Sequence, residues 1–235
     1  MKKTLIIIPG LEGNDAYFQK QIKFFDDNYD VRIFYLEPSD TQVKEISQKL
    51  RNYILKENIQ KPIIWGFSFG GTVAINYAGN YFQEISGLIL GCTFSAYGFY
   101  RRWGGFLMTI FDPIINYLPK RLLIYILHYG GVTLKEWPIY KKLIYSAYTQ
   151  KPAVYFKRFR SAFYLDQTSL LDKIRCPTFI YAGEKDHLVL PQAAFLLHQK
   201  IKNSQLIVFP NTSHLVHITQ AEEFNKKLLD FLKTL

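Results

Sequence analysis

The chain opens on an unbroken apolar run, Thr4 to Ile8, closed by Pro9-Gly10, which is the pattern of a short strand buried on both faces. Similar runs recur at Val31–Leu36, Ile63–Trp65, Gly87–Gly91, Thr178–Ala182 and 205–209. None alternates with polar residues, as a half-exposed strand would. Between them the period becomes helical. Phe18, Ile22 and Phe25 share a face within 14–27, and Val43, Ile46, Leu50, Tyr53 and Ile54 form one stripe within 41–58, with Ser39 or Asp40 as its cap. Thr72–Asn80, 191–202 (entered through Pro191) and 219–233 complete the helices. This alternation predicts an α/β fold, with a mostly parallel sheet of about six strands and helices on both faces.

The rhythm lapses at Phe94. Residues 94–173 contain no clear strand–helix unit and carry 19 of the chain's 39 aromatic residues. Leu118–Tyr129 and Trp137–Tyr148 have helical character, Gly130-Gly131 separates them, and Pro152 interrupts the later part of the segment. The expected organisation is a core of 1–93 and 174–235, with 94–173 as a mostly helical cap over the carboxyl edge of the sheet.

Composition sharpens this picture at three points. A chain of 235 residues with 49% apolar content can bury a full core as one domain. The net charge of +10 is concentrated in the insert, where 12 Lys and Arg face 4 Asp and Glu, and no nucleic-acid motif accompanies it. Nucleic acid is therefore not an expected partner, although a basic, aromatic cap suits transient contact with an anionic membrane. Cys92 and Cys176 sit in apolar surroundings and read as buried thiols of a reducing compartment. The apolar run at residues 5–8 is too short for a secretory signal, and no stretch has transmembrane length, so a cytoplasmic protein is expected.

The chemistry begins where the third strand ends. Gly66, Ser68 and Gly70 form a Gly-x-Ser-x-Gly pattern between a strand and a helix, a turn that holds a serine clear of its neighbours beside free helix N–H groups. Serine needs a base, and the base needs an orienting group. In parallel sheets such groups lie beyond the carboxyl ends of strands. Asp186 follows the fifth run and His214 the sixth, so Ser68, Asp186 and His214 are the candidate nucleophile, orienting carboxylate and general base. His217 is the rival base and Asp112 the rival acid; His128, His187 and His198 read as packing or loop residues. Developing negative charge on oxygen needs donors, for which the N–H groups of Phe69 and Leu11 are best placed. No His/Asp/Glu cluster has metal-ligand spacing, and neither metal nor cofactor is expected.

With Gly66-Phe67-Ser68-Phe69-Gly70-Gly71, Gly183-Glu184-Lys185-Asp186 and Ser213-His214 followed by Ala221-Glu222-Glu223-Phe224, the chain resembles the α/β-hydrolase fold family, as a serine hydrolase with a helical cap domain. The resemblance favours His214 over His217. Two departures stand out: Pro9-Gly10 replaces the family's His-Gly, removing a histidine anchor of the oxyanion loop, and Ala221 replaces a proline. The implied reaction is hydrolysis of a carboxylic ester or thioester of a small to medium apolar or aromatic acyl group, through an acyl-enzyme. The alternative is a carbon–carbon bond hydrolase or lyase, with Arg101, Arg102, Arg158 or Arg160 pairing a substrate carboxylate. Phe94, Tyr97 and Trp103, with Arg101 and Arg102, are the expected substrate contacts, beside Phe99, Phe106 and Phe111.

Overall fold

A computed structural model describes residues 2–97, 119, 121–122, 124–125 and 136–235. Six strands form one sheet: β1 (Lys3–Ile8), β2 (Tyr29–Ile33), β3 (Ile63–Phe67), β4 (Gly87–Gly91), β5 (Thr178–Gly183) and β6 (Ser204–Phe209). Their order is β2-β1-β3-β4-β5-β6 and every pair is parallel. The order reverses between β1 and β3, where a parallel sheet opens a crevice at its carboxyl edge.

Helices cover both faces, which explains the unbroken apolar runs. Ile6, Ile8, Ile64, Leu88, Leu90 and Ile180 point to one layer, with α2 (Val43–Lys56), α3 (Phe69–Tyr81) and α7 (Pro191–Lys200). Leu5, Ile7, Ile63, Trp65, Ile89 and Phe179 point to the other, against α9 (Ala221–Leu232) and α1 (Gln19–Phe25). Between β4 and β5 lies a helical insertion, of which α4 (Trp137–Ala147), α5 (Pro152–Phe163) and α6 (Thr168–Leu171) are described. A short α8 (Val216–Thr219) precedes α9.

Three local expectations shift. The second strand runs from Tyr29 to Ile33; Phe34 N–H still donates to Ile7 O at 2.9 Å, and Leu36 N–H turns to Gly13 O of the loop after β1 at 3.0 Å. Helix α2 starts at Val43, whose N–H donates to Ser161 Oγ of the insert at 3.2 Å and not to Ser39 or Asp40; Asp40 instead accepts from Glu37 N–H and from Lys49 Nζ, both at 2.8 Å. The last helix is divided at Gln220, which has φ −122° and ψ 43°. The helix expected over Leu118–Tyr129 falls largely outside the described residues. Among the described residues, no helix is long and apolar enough to cross a membrane.

Candidate active site

Ser68 stands between β3 and α3 at φ 50° and ψ −116°, a conformation disfavoured for a residue with a side chain. Its surroundings impose it. A Cβ on Gly66 would lie 2.6 Å from that of Ala74, and one on Gly70 would overlap the main-chain oxygens of Ile8 and Pro9. Ser68 N–H donates to Gly91 O at 2.8 Å, and Thr93 Oγ1 donates to Ser68 O at 2.7 Å. The turn is therefore held from β4 as well as by its own glycines.

Two loops deliver the other groups. Gly183, ending β5, packs so closely on Thr212 and Ser213 that a Cβ would meet Thr212 O at 2.6 Å, which brings the Asp186 and His214 loops together. Lys185 N–H donates to Thr212 O at 2.8 Å. Asp186 is buried; its Oδ1 accepts from the N–H groups of Leu188 and Val189 at 2.9 Å each, and its Oδ2 lies 2.7 Å from His214 Nδ1. The far nitrogen, His214 Nε2, lies 2.9 Å from Ser68 Oγ.

Cys92 is the residue that sequence reasoning misses. It follows β4 at φ 46°, with its N–H donating to Tyr181 O at 2.9 Å. One side-chain atom each of Cys92, Asp186 and His214 lies within 4.8 Å of the others, and all three residues are buried. The expectation of a self-contained serine–histidine–aspartate set is thereby corrected. Two side chains with nucleophilic atoms, Ser68 and Cys92, lie beside one imidazole–carboxylate pair, and the label of serine hydrolase, which takes Ser68 as the only group available for acylation, does not stand. The available signal was positional: Cys92 lies at a strand's carboxyl end, like Asp186 and His214. Burial, followed by the charge of Asp186, raises the thiol well above the usual range, so Cys92 is held as a neutral thiol. The three donors could suggest a metal, but the 2.7 Å Asp186–His214 hydrogen bond is tighter than the roughly 3.2 Å that separates two ligands about 2.0 Å from one ion.

Ser68 borders two small cavities under the insert. One is lined by Leu11, Phe69, Phe94, Tyr97, Phe159 and Val189, among others, and is apolar. The second has Glu12, Tyr17, Tyr148 and His214 in its wall. Neither Leu11 N–H nor Phe69 N–H donates a hydrogen bond to another group among the described residues, and both residues border the first cavity. Phe94 and Tyr97 are thus brought to the site. Arg101, Arg102 and Trp103 lie outside the described residues, as do Phe99, Phe106, Phe111, Asp112 and His128.

His217 is fully buried, stacked on Phe18 at 4.9 Å, and neither ring nitrogen has a hydrogen-bond partner among the described residues. Burial lowers its pKa to about 3. His187 follows Asp186 in the acid loop, and His198 is on the surface, with Nδ1 2.9 Å from Ser204 Oγ. Arg158, read from sequence as a substrate partner or a surface cation, is neither. It is fully buried and, among the described residues, donates only to main-chain oxygens.

The fold and the elbow site define an α/β hydrolase. The family model for the alpha/beta hydrolase fold matches residues 38–221, and the chain belongs to that family. Among characterised relatives, it is 29% identical over 212 residues to the proline iminopeptidase of Thermoplasma volcanium, spanning 76% of this chain and 68% of that one. It is 21% identical over 238 residues to the pimeloyl-[acyl-carrier protein] methyl ester esterase of Vibrio campbellii, spanning 97% and 93%. A hydrolase from Oleispira antarctica superposes with a TM-score of 0.85 at 18% identity, covering 100% of this chain and 92% of that one, a likeness of fold alone.

Proposed function

We propose that the protein hydrolyses a small-molecule ester or thioester through an acyl-enzyme, with Ser68, His214 and Asp186 as catalytic residues and Cys92 packed behind the carboxylate. The observation that carries this reading is the continuous hydrogen-bonded line from Asp186 Oδ2 through His214 to Ser68 Oγ, with legs of 2.7 and 2.9 Å. Asp186 fixes the imidazole with Nδ1 protonated, leaving Nε2 as the base. The Ser68 hydroxyl, bordering the apolar cavity, meets the substrate carbonyl; its proton passes to Nε2 and then to the departing alcohol or thiol. Water, deprotonated by the same nitrogen, then releases the acid. The N–H groups of Leu11 and Phe69 receive the oxyanion in both steps.

The apolar lining of Phe94, Tyr97 and Phe159 supports an apolar or aromatic acyl group of small to medium size. The esterase relative, aligned over nearly all of both chains, supports an ester. We place the cap boundaries at residues 94 and 173. Two free, buried thiols support a reducing, cytoplasmic setting.

A second reading puts the acyl group on Cys92, and its place in the cluster with Asp186 and His214 favours it. Turnover of matched p-nitrophenyl esters and CoA thioesters by Ser68→Ala and Cys92→Ala separates the two. Loss of about a thousandfold or more in Ser68→Ala alone supports acylation at the hydroxyl. The same loss in Cys92→Ala alone, with the acylated peptide containing Cys92, moves it to the thiol. No turnover of either series by the wild type overturns both.

A further inference from the structure

The geometry points to Arg158 and Glu12 as positioning residues that hold the oxyanion loop from the insert side, in place of the anchor that Pro9 cannot supply. The inference rests on the proposed reaction, in which Leu11 N–H faces the developing oxyanion.

The loop between β1 and α1 is held at several points, Asn14 among them, whose Nδ2 donates to Ala147 O of the insert at 2.6 Å. Its turn is closed by Gly13 N–H on Gly10 O at 3.2 Å, and Leu36 N–H on Gly13 O ties it to the segment after β2 at 3.0 Å. Arg158, on α5 of the insert, adds ties at Leu11 itself and at the β2 segment. Its Nη1 donates to Leu11 O at 2.7 Å, its Nη2 to Leu36 O at 3.1 Å and Glu37 O at 2.7 Å, and its Nε to Asp40 O at 2.8 Å. One guanidinium therefore joins the insert, the oxyanion loop and the β2 segment. Its rigid planar fork suits three roughly coplanar directions, which an ammonium cannot match. The fit is close: a Cβ on Gly13, which sits at φ 73°, would approach Arg158 Nη1 to 2.7 Å.

Glu12 works from inside the loop. It is 2% exposed, and its Oε1 accepts from Gly10 N–H at 2.9 Å, so the side chain folds back over the peptide preceding Leu11. Fixing Gly10 N–H on one side of Leu11 and Leu11 O on the other sets the peptide plane that carries Leu11 N–H. The carboxylate forms no ion pair within 4.0 Å among the described residues; Arg158 acts on it only through its nearby charge. The acid and the arginine thus hold main chain, not each other.

The test uses the full chain with p-nitrophenyl esters and a boronic acid, whose tetrahedral adduct occupies the oxyanion position. Arg158→Lys and Arg158→Met should lower kcat by about ten- to a hundredfold, part of the loss of a whole donor, with KM within about twofold and boronate affinity falling in step with kcat. Glu12→Ala should behave likewise, and Glu12→Gln, which keeps an oxygen for Gly10 N–H, should lose less. A raised KM at unchanged kcat, or kcat unchanged in all variants, overturns the proposal. Where an Arg158 variant fails to fold by near-ultraviolet circular dichroism, the Ala and Gln variants of Glu12 decide: equal losses in both overturn it. A wild type without ester turnover is a failure of the proposed reaction, distinct from these outcomes.

Discussion

His217 gives a quantitative handle on this core. The ring is surrounded by Phe18, Phe67, Trp65, Tyr181 and Phe224, with centroid distances from 4.5 to 6.4 Å, and both nitrogens lack hydrogen-bond partners among the described residues. His217→Phe keeps the stack on Phe18 and removes two unsatisfied polar atoms, worth about 1–3 kcal/mol at neutral pH if the larger ring is accommodated. The pH dependence is more telling. Because the folded-state pKa is lowered from 6.5 to about 3, the wild type carries no protonation-linked penalty above pH 6.5 and loses stability as pH falls toward 3. Linkage makes that loss about 2 kcal/mol at pH 5 and about 3 kcal/mol at pH 4, to order of magnitude. Urea unfolding of both proteins at pH 7.5, 5 and 4 should therefore show the variant's advantage growing by these amounts. Parallel pH profiles would refute the reasoning, since they would mean that His217 is protonated as easily folded as unfolded.

Other outcomes rest on single contacts. Asp186→Asn should retain the fold and lose about ten-thousandfold in kcat, read with a saturating ester, because the amide stabilises the wrong imidazole tautomer. Gly70→Ala, whose methyl would overlap Ile8 O and Pro9 O, should yield insoluble or unfolded protein by circular dichroism. Phe94→Ala should shift kcat/KM toward longer acyl chains by about tenfold over short ones in a chain-length series. Glu12, pushed up to about 7 by burial, opposes His217: its contribution is present below pH 4.5 and lost as pH rises through 7, so Glu12→Gln should gain about 3 kcal/mol on the wild type between pH 4 and pH 8 in denaturant titrations.

Much of the frame is legible in the chain because it is written locally. Six apolar runs mark six strands, and the rule that places function at their carboxyl ends leads to Ser68, Asp186 and His214 without any fold in hand. The same rule, applied to Cys92 after Gly91, would have brought in the thiol; its apolar neighbours directed attention to packing instead. Arg158 was hidden for the opposite reason. Flanked by Lys157 and Arg160, it reads as one cation among several on a solvated helix, and only long-range packing against the segment 34–40 reveals its burial. The partners of Glu12 and the isolation of His217 are likewise consequences of tertiary contact. No periodicity encodes them.

The central claim is that His214, oriented by Asp186, moves the proton that allows a covalent acyl-enzyme to form. Intact-protein mass spectrometry during turnover of a slow activated ester tests it most directly. A one-acyl adduct is expected on the wild type, appearing at least a hundredfold more slowly in His214→Ala, in the range of general-base contributions. An adduct forming at the wild-type rate without that imidazole would contradict it.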